Sequence, residues 1–347
     1  MTSLERFIAT IERRPVDRPA CWLGFPDKKA IPGLLAEFGA VDMADMKRIL
    51  DDDIVPVEIP YHSPVSDAIY AAFDFRQGGK VDADHRTLTA EGCFADCEDI
   101  SEVDDFDWPE PEKYMDPALC RAAVDAVPDG KCAMAMMWSA HFQDALAAFG
   151  MENAMVKMIT DPEIYEAVDA RLVDFYLRAG KVFYEATRGK LHAVLIGNDM
   201  GGQNCLMLSP EMIRRFVLPG ARELIEQAKS YGLKVIYHSC GAIEPIIPDL
   251  IDAGVDAIHP IQALAKGMSA EELHAKYAGK VSFCGGVDTQ QLLVHGTKKQ
   301  VYHRVSELRS LFPTGLIVSP SHEAILTDVD PANVRAVFEA AGSLKGL

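Results

Sequence analysis

Short apolar runs recur along the chain, separated by longer stretches in which apolar and polar positions alternate with a helical period. Eight runs predict strands, at 20–23, 54–59, 132–138, 192–197, 233–238, 257–259, 281–284 and 316–319. Between the later ones the period is close to 3.6. Met212, Ile213, Phe216, Val217, Ala221, Leu224, Ile225 and Ala228 predict one helix over 210–230. A second covers 244–253 and ends at Gly254, a C-cap position. Ser269 caps a third, ahead of an acidic first turn. An amphipathic helix spans 290–311, and Pro331 starts the last one behind Asp330. The first residues also read as a helix, with Ser3 as its N-cap.

Strands alternating with helices imply parallel strands joined by helical crossovers. Eight of them favour a closed α/β fold, the (β/α)8 TIM barrel, over an open sheet. The irregular part is 60–130, too long for a simple crossover. It is acidic and carries turn residues at Gly78-Gly79, at 82–84 and at 104–111. It reads as an insertion between strands two and three, with short strands and a helix, covering the barrel mouth. No linker breaks the pattern, so residues 1–347 are expected to form one domain.

Composition narrows the partners. The 347 residues are 49% apolar and 25% charged, ordinary for a globular protein. Lys plus Arg is 34 against 52 for Asp plus Glu, a formal net charge of −18. Such a surface repels phosphate backbones and anionic membranes, so neither nucleic acid nor membrane is an expected partner. No apolar run reaches the roughly 18 residues of a transmembrane helix, and the start lacks a basic segment followed by an apolar one. A cytoplasmic protein with reduced thiols at its eight cysteines is the expectation. The run Asp51-Asp52-Asp53 precedes strand two, the face away from chemistry, and reads as a solvated turn.

Chemistry in a barrel belongs at the C-terminal strand ends. Strand five ends in His238-Ser239-Cys240-Gly241. Residues two apart on a strand point the same way, about 7 Å apart at Cα, so His238 and Cys240 can both reach one tetrahedral ion. A buried histidine beside a core cysteine is the plainer alternative. His322, just past strand eight, is a further ligand or an acid/base, and Cys284 on strand seven is an alternative third ligand. Asp199 at the end of strand four suits a polar contact or an acceptor for a metal-bound histidine. His259 and Trp138 are expected along the mouth, the latter as pocket wall. Gly201-Gly202 and Gly285-Gly286 lack dinucleotide spacing and read as places where backbone approaches a ligand.

Taken together the blocks at 6–19, 199–203, 208–211, 238–241, 285–288 and 319–322 resemble the uroporphyrinogen decarboxylase superfamily over nearly the whole chain. The resemblance implies its barrel and leaves two chemistries. True decarboxylases carry an arginine-rich loop after strand one; here 22–29 holds Lys28 and Lys29 and no arginine. The other branch, the corrinoid-linked methyltransferases, places zinc on a His-x-Cys pair, matched by His238 and Cys240, plus a cysteine after strand eight. Here 319–323 is Ser-Pro-Ser-His-Glu, so His322 or Cys284 would stand in.

This branch implies a methyltransferase moving a methyl group between a corrinoid (methylcobalamin-type) cofactor, carried on a partner protein, and a thiol or tetrahydrofolate acceptor. His322 and Asp199 would be catalytic. Asn198, Gln203, His259, Gly285, Gly286, Asp288 and Trp138 would bind substrate or cofactor. Zinc would lower the pKa of an acceptor thiol. The alternatives are a decarboxylase of a porphyrinogen or other carboxylate, using His322 to protonate a carbanion, and a non-catalytic ligand-binding barrel. The oligomeric state stays open, a homodimer included.

Overall fold

The computed structural model describes residues 1–74 and 88–344. Eight parallel strands are observed: β1 (Ala20–Cys21), β2 (Ile54–Glu58), β3 (Cys132–Trp138), β4 (Ala193–Gly197), β5 (Lys234–His238), β6 (Ala257–Ile261), β7 (Ser282–Val287) and β8 (Leu316–Pro320). They pair in the order β1-β8-β7-β6-β5-β4-β3-β2, the ladder of a (β/α)8 barrel. Each strand lies within a few residues of its expected place.

Alternate strand residues fill two cores. Ala20, Trp22, Ile54, Met134, Met136, Leu195, Ile236, Ala257, Cys284 and Ile317 point into the barrel, where Phe7 and Ile11 of the Ser3–Ile11 helix join them. Their neighbours Ala135, Met137, Val194, Ile196, Val235, Tyr237, Ile258, Phe283 and Val318 face the surrounding helices. His238 and His259 continue the inward series beyond Ile236 and Ala257, which aims them at the mouth.

The seam between β1 and β2 is closed by aspartates. The Asp53 N–H donates to the Cys21 carbonyl at 3.0 Å. Asp53 Oδ2 accepts from the Cys21 N–H at 2.8 Å, and Asp52 Oδ2 from the Leu23 N–H at 3.3 Å. Carboxylates thus stand in for ladder carbonyls. The solvated turn expected at 51–53 is therefore corrected: all three residues are buried, Asp53 completely. Their counter-charges come from far along the chain. Arg6 and Arg18 each reach Asp53 at 2.7 Å, and Lys131 reaches Asp51 at 3.0 Å.

Several helix expectations shift locally. Thr2, not Ser3, is the first N-cap, in a capping box with Glu5. The helix over 210–230 is two, Pro210–Phe216 and Leu218–Ser230, because Pro219 has no N–H to continue the first. That over 290–311 is likewise Leu292–His295 and Lys298–Leu311, interrupted at Gly296. Among the described residues of 60–130 there are helices at Ile100–Asp105 and Pro117–Asp125 and no strand, so the short strands expected there are not found. Aromatic contacts hold this segment: Phe73 lies 4.6 Å from Phe175 and Phe94 stacks on Trp108 at 5.6 Å between centroids. The turns at 78–79 and 82–84 lie outside the described residues.

Candidate metal centre and mouth cavity

A cavity of about 570 Å³ opens at the C-terminal strand ends. Phe25, Tyr70, Leu88 and Trp138 form apolar wall; Lys28, Glu58, Gln143, Asp199, His238 and Glu323 supply polar groups. Tyr70 and Leu88 come from the segment between β2 and β3. Trp138 turns into the cavity at a bulge in β3, where Trp138 and Ser139 both take left-handed backbone conformations, φ 56° and 54°. Such strain in non-glycine residues concentrates at working sites.

His238 stands at the centre. Its Nε2 lies 3.6 Å from Cys240 Sγ and 3.2 Å from Asp199 Oδ1. Asp199 Oδ1 also accepts the Cys240 N–H at 2.8 Å. On the far side, His238 Nδ1 is 2.9 Å from His259 Nδ1 and 3.9 Å from Glu323 Oε2. Glu323 Oε2 is buried with no hydrogen-bond partner, and sits 3.6 Å from His322 Nδ1. His322 Nδ1 accepts the Ala324 N–H at 3.0 Å.

Burial favours neutral His238, but Glu323, Asp199 and Cys240 outweigh it and hold its pKa well above the usual histidine range. Burial pushes Asp199 up, yet His238 and the Cys240 amide prevail and keep it below the usual carboxylate range. Burial and the adjacent His238 hold His259 well below its ordinary value. His322 is raised, first by the Cys240 thiol beside it.

The donor set fits a tetrahedral zinc. With Zn–N of about 2.0–2.1 Å and Zn–S of about 2.3 Å, the N···S edge of a tetrahedron is about 3.6 Å. The observed His238–Cys240 separation matches it. Donor atoms of Asp199, His238 and Cys240 lie within 4.8 Å of one another, as do those of Cys240, His322 and Glu323. His322 therefore meets Cys240, while Asp199 completes the triple around His238.

Other expected site residues serve the scaffold. Cys284 is fully buried in the barrel core, its thiol pushed up by burial near Ser319, Asp52 and Cys21, and it joins none of these donor groups. As an alternative ligand it is corrected: it packs below the cavity. Asn198 points away from the mouth, accepting the Phe142 N–H at 2.9 Å and donating to Tyr237 Oη at 3.3 Å. Gln203 ties loops together through the Leu264 carbonyl and Gln262. Asp288 accepts three N–H groups, from Gln290, Gln291 and Leu292, and so holds the turn that follows β7. The glycines at 285 and 286 make room for the protein itself: a Cβ would meet the Ile261 nitrogen at 2.7 Å and the Leu308 side chain at 3.2 Å. Glu323, Phe25, Tyr70 and Gln143 were not expected. Only the adjacency of Glu323 to His322 could have signalled one of them.

The uroporphyrinogen decarboxylase (URO-D) family model matches residues 94–344. The methylated-thiol–coenzyme M methyltransferase of Methanosarcina mazei is 28% identical over 184 residues, covering 52% of this chain. The match spans 45% of that relative's length. A solved structure of a methyltransferase from Methanosarcina mazei superposes with a TM-score of 0.72, at 17% identity and full coverage of both chains, a likeness of fold. Among the described residues no helix is long and apolar enough to cross a membrane.

Proposed function

Because the chain belongs to the uroporphyrinogen decarboxylase family, whose fold carries more than one chemistry, we propose that it is a methyltransferase, moving a methyl group between a corrinoid on a partner protein and a small thiol. The observation that carries this reading is the His238–Cys240 pair, at tetrahedral-edge separation, with His238 and Asp199 lining the cavity. The relative's printed substrate class, a methylated thiol, is in keeping with it.

His238 and Cys240 would hold zinc, with Asp199 or His322 completing the set. Bound zinc would lower the pKa of an acceptor thiol and so supply a nucleophilic sulfur at neutral pH. Asp199 orients the Cys240 backbone and sets a negative charge against His238. Gln143 donates to the Asp199 carbonyl at 3.1 Å, fixing that loop. Phe25, Trp138, Tyr70 and Leu88 exclude water, which favours attack by sulfur over competing reactions.

Charge weighs against the decarboxylase alternative. Among the described lining residues Lys28 is the one lysine or arginine, against Glu58, Asp199 and Glu323, a poor match for a many-carboxylate substrate. Of Asp199, Asn198 and Gln203, the groups that could hold a tetrahydrofolate acceptor, the last two are engaged with other parts of the protein. Metal analysis tests the reading: about one zinc per chain, lost in Cys240→Ala, supports it. A protein that binds no zinc removes its basis.

A further inference from the structure

The ring of His259 meets the imidazole on which the transfer chemistry rests. Strand register makes the contact, since His238 and His259 are Cα partners on β5 and β6. Their Nδ1 atoms lie 2.9 Å apart. Two imidazole nitrogens at this distance form a hydrogen bond only when one carries the proton and the other a lone pair.

The surroundings decide which. Asp199, Cys240 and Glu323 surround His238 at 3.2, 3.6 and 3.9 Å. His259 is fully buried, its Nε2 has no hydrogen-bond partner, and the Trp22 ring packs 5.1 Å away. Nε2 is the His238 atom that faces Cys240, and a ring that ligates through Nε2 carries its proton on Nδ1, so in the metal-bound site His238 Nδ1 donates and His259 Nδ1 accepts. Glu323 at 3.9 Å is too distant to be that acceptor. The donation leaves Nε2 as the His238 atom offered to a cation, and Nε2 is the atom facing Cys240 and Asp199.

We infer that His259 is a positioning residue: by accepting the His238 Nδ1 proton it fixes the tautomer and rotation of that ring, and so presents Nε2 to a divalent metal ion held with Cys240. This rests on the zinc-site reading above. Ligating histidines commonly depend on such an acceptor, and losing it costs about 10–100-fold in metal affinity.

The test is zinc affinity by competition with a chromophoric chelator, on the full chain as wild type, His259→Leu, His259→Asn and His238→Ala. Leu fills the space without an acceptor; Asn offers Oδ1 close to the Nδ1 position. His259→Leu should bind zinc roughly 10–100-fold more weakly, with the circular dichroism of the metal-free protein unchanged, and His259→Asn should recover most of the loss. Nuclear magnetic resonance of isotope-labelled histidine nitrogens in the zinc-loaded wild type should show the His238 proton on Nδ1. That reading stands even if His259→Leu fails to fold. Zinc affinity unchanged in His259→Leu, or a His238 proton on Nε2, overturns the inference. If His238→Ala loses zinc and His259→Leu does not, the inference alone fails. If His238→Ala keeps its zinc, the metal site itself is wrong and the inference falls with it.

Discussion

Asp199 and Cys240 are joined by a hydrogen bond of 2.8 Å, from the Cys240 backbone N–H to Asp199 Oδ1. The same oxygen faces His238 Nε2 at 3.2 Å. One carboxylate therefore fixes the backbone of one candidate ligand and the charge beside the other. Asp199→Asn can keep the amide contact but loses the charge. Its zinc affinity, read by calorimetric titration, should fall roughly tenfold or more, and Asp199→Ala should fall further. Equal affinity in all three proteins would remove Asp199 from the site.

Cys284 gives the complementary result. It lies in the barrel core, outside the donor cluster. Cys284→Ala should keep the zinc stoichiometry of the wild type while losing about 1 kcal/mol of stability in denaturant unfolding. Loss of zinc in this variant would restore it as a ligand.

Asp52 should make stability fall as pH rises. Burial pushes its pKa up to about 7, with Lys47 opposing and Asp53 adding to the rise. A carboxyl with a raised folded pKa is neutral in the fold where the unfolded chain is already ionised. Stability is then full below the unfolded value near 4, declines between about 4 and 7, and carries the whole cost above, at most about 4 kcal/mol. Asp52→Asn should raise the melting temperature at pH 8 and change it little at pH 4. A variant less stable at both would show that the charge is compensated.

Asp53 should be required for stability. It receives Arg6, Arg18 and the Cys21 amide in a fully buried position. Asp53→Ala removes the fully buried partner shared by Arg6 and Arg18, leaving them Asp17 and Asp51, and takes away the Cys21 amide's acceptor at the β1–β2 seam, a loss of about 3–5 kcal/mol. Asp17, half-exposed and paired with Arg6, should cost much less on replacement by Ala. Urea unfolding of the two variants gives the comparison.

The barrel was legible because each strand is a short apolar run bounded by helix signals, and because parity along β5 puts His238 and Cys240 on one side. Side-chain partners were not. A run of three aspartates reads as solvated until Arg6, Arg18 and Lys131 are brought to it from other parts of the chain. Asp288 and Asn198 resemble binding groups in sequence, yet backbone amides occupy them. The glycines at 285 and 286 announce a close approach without saying to what. The contact between His238 and His259 depends on strand register, which no local pattern encodes.

The central claim is methyl transfer to or from sulfur at the His238–Cys240 pair. Its most direct test is the absorbance of methylcobalamin incubated with a small thiol and the zinc-loaded protein. The expected result is demethylation by the wild type and none above background with Cys240→Ala. A zinc-loaded wild type that leaves methylcobalamin intact across a panel of thiols, while releasing carbon dioxide from a porphyrinogen, would contradict it.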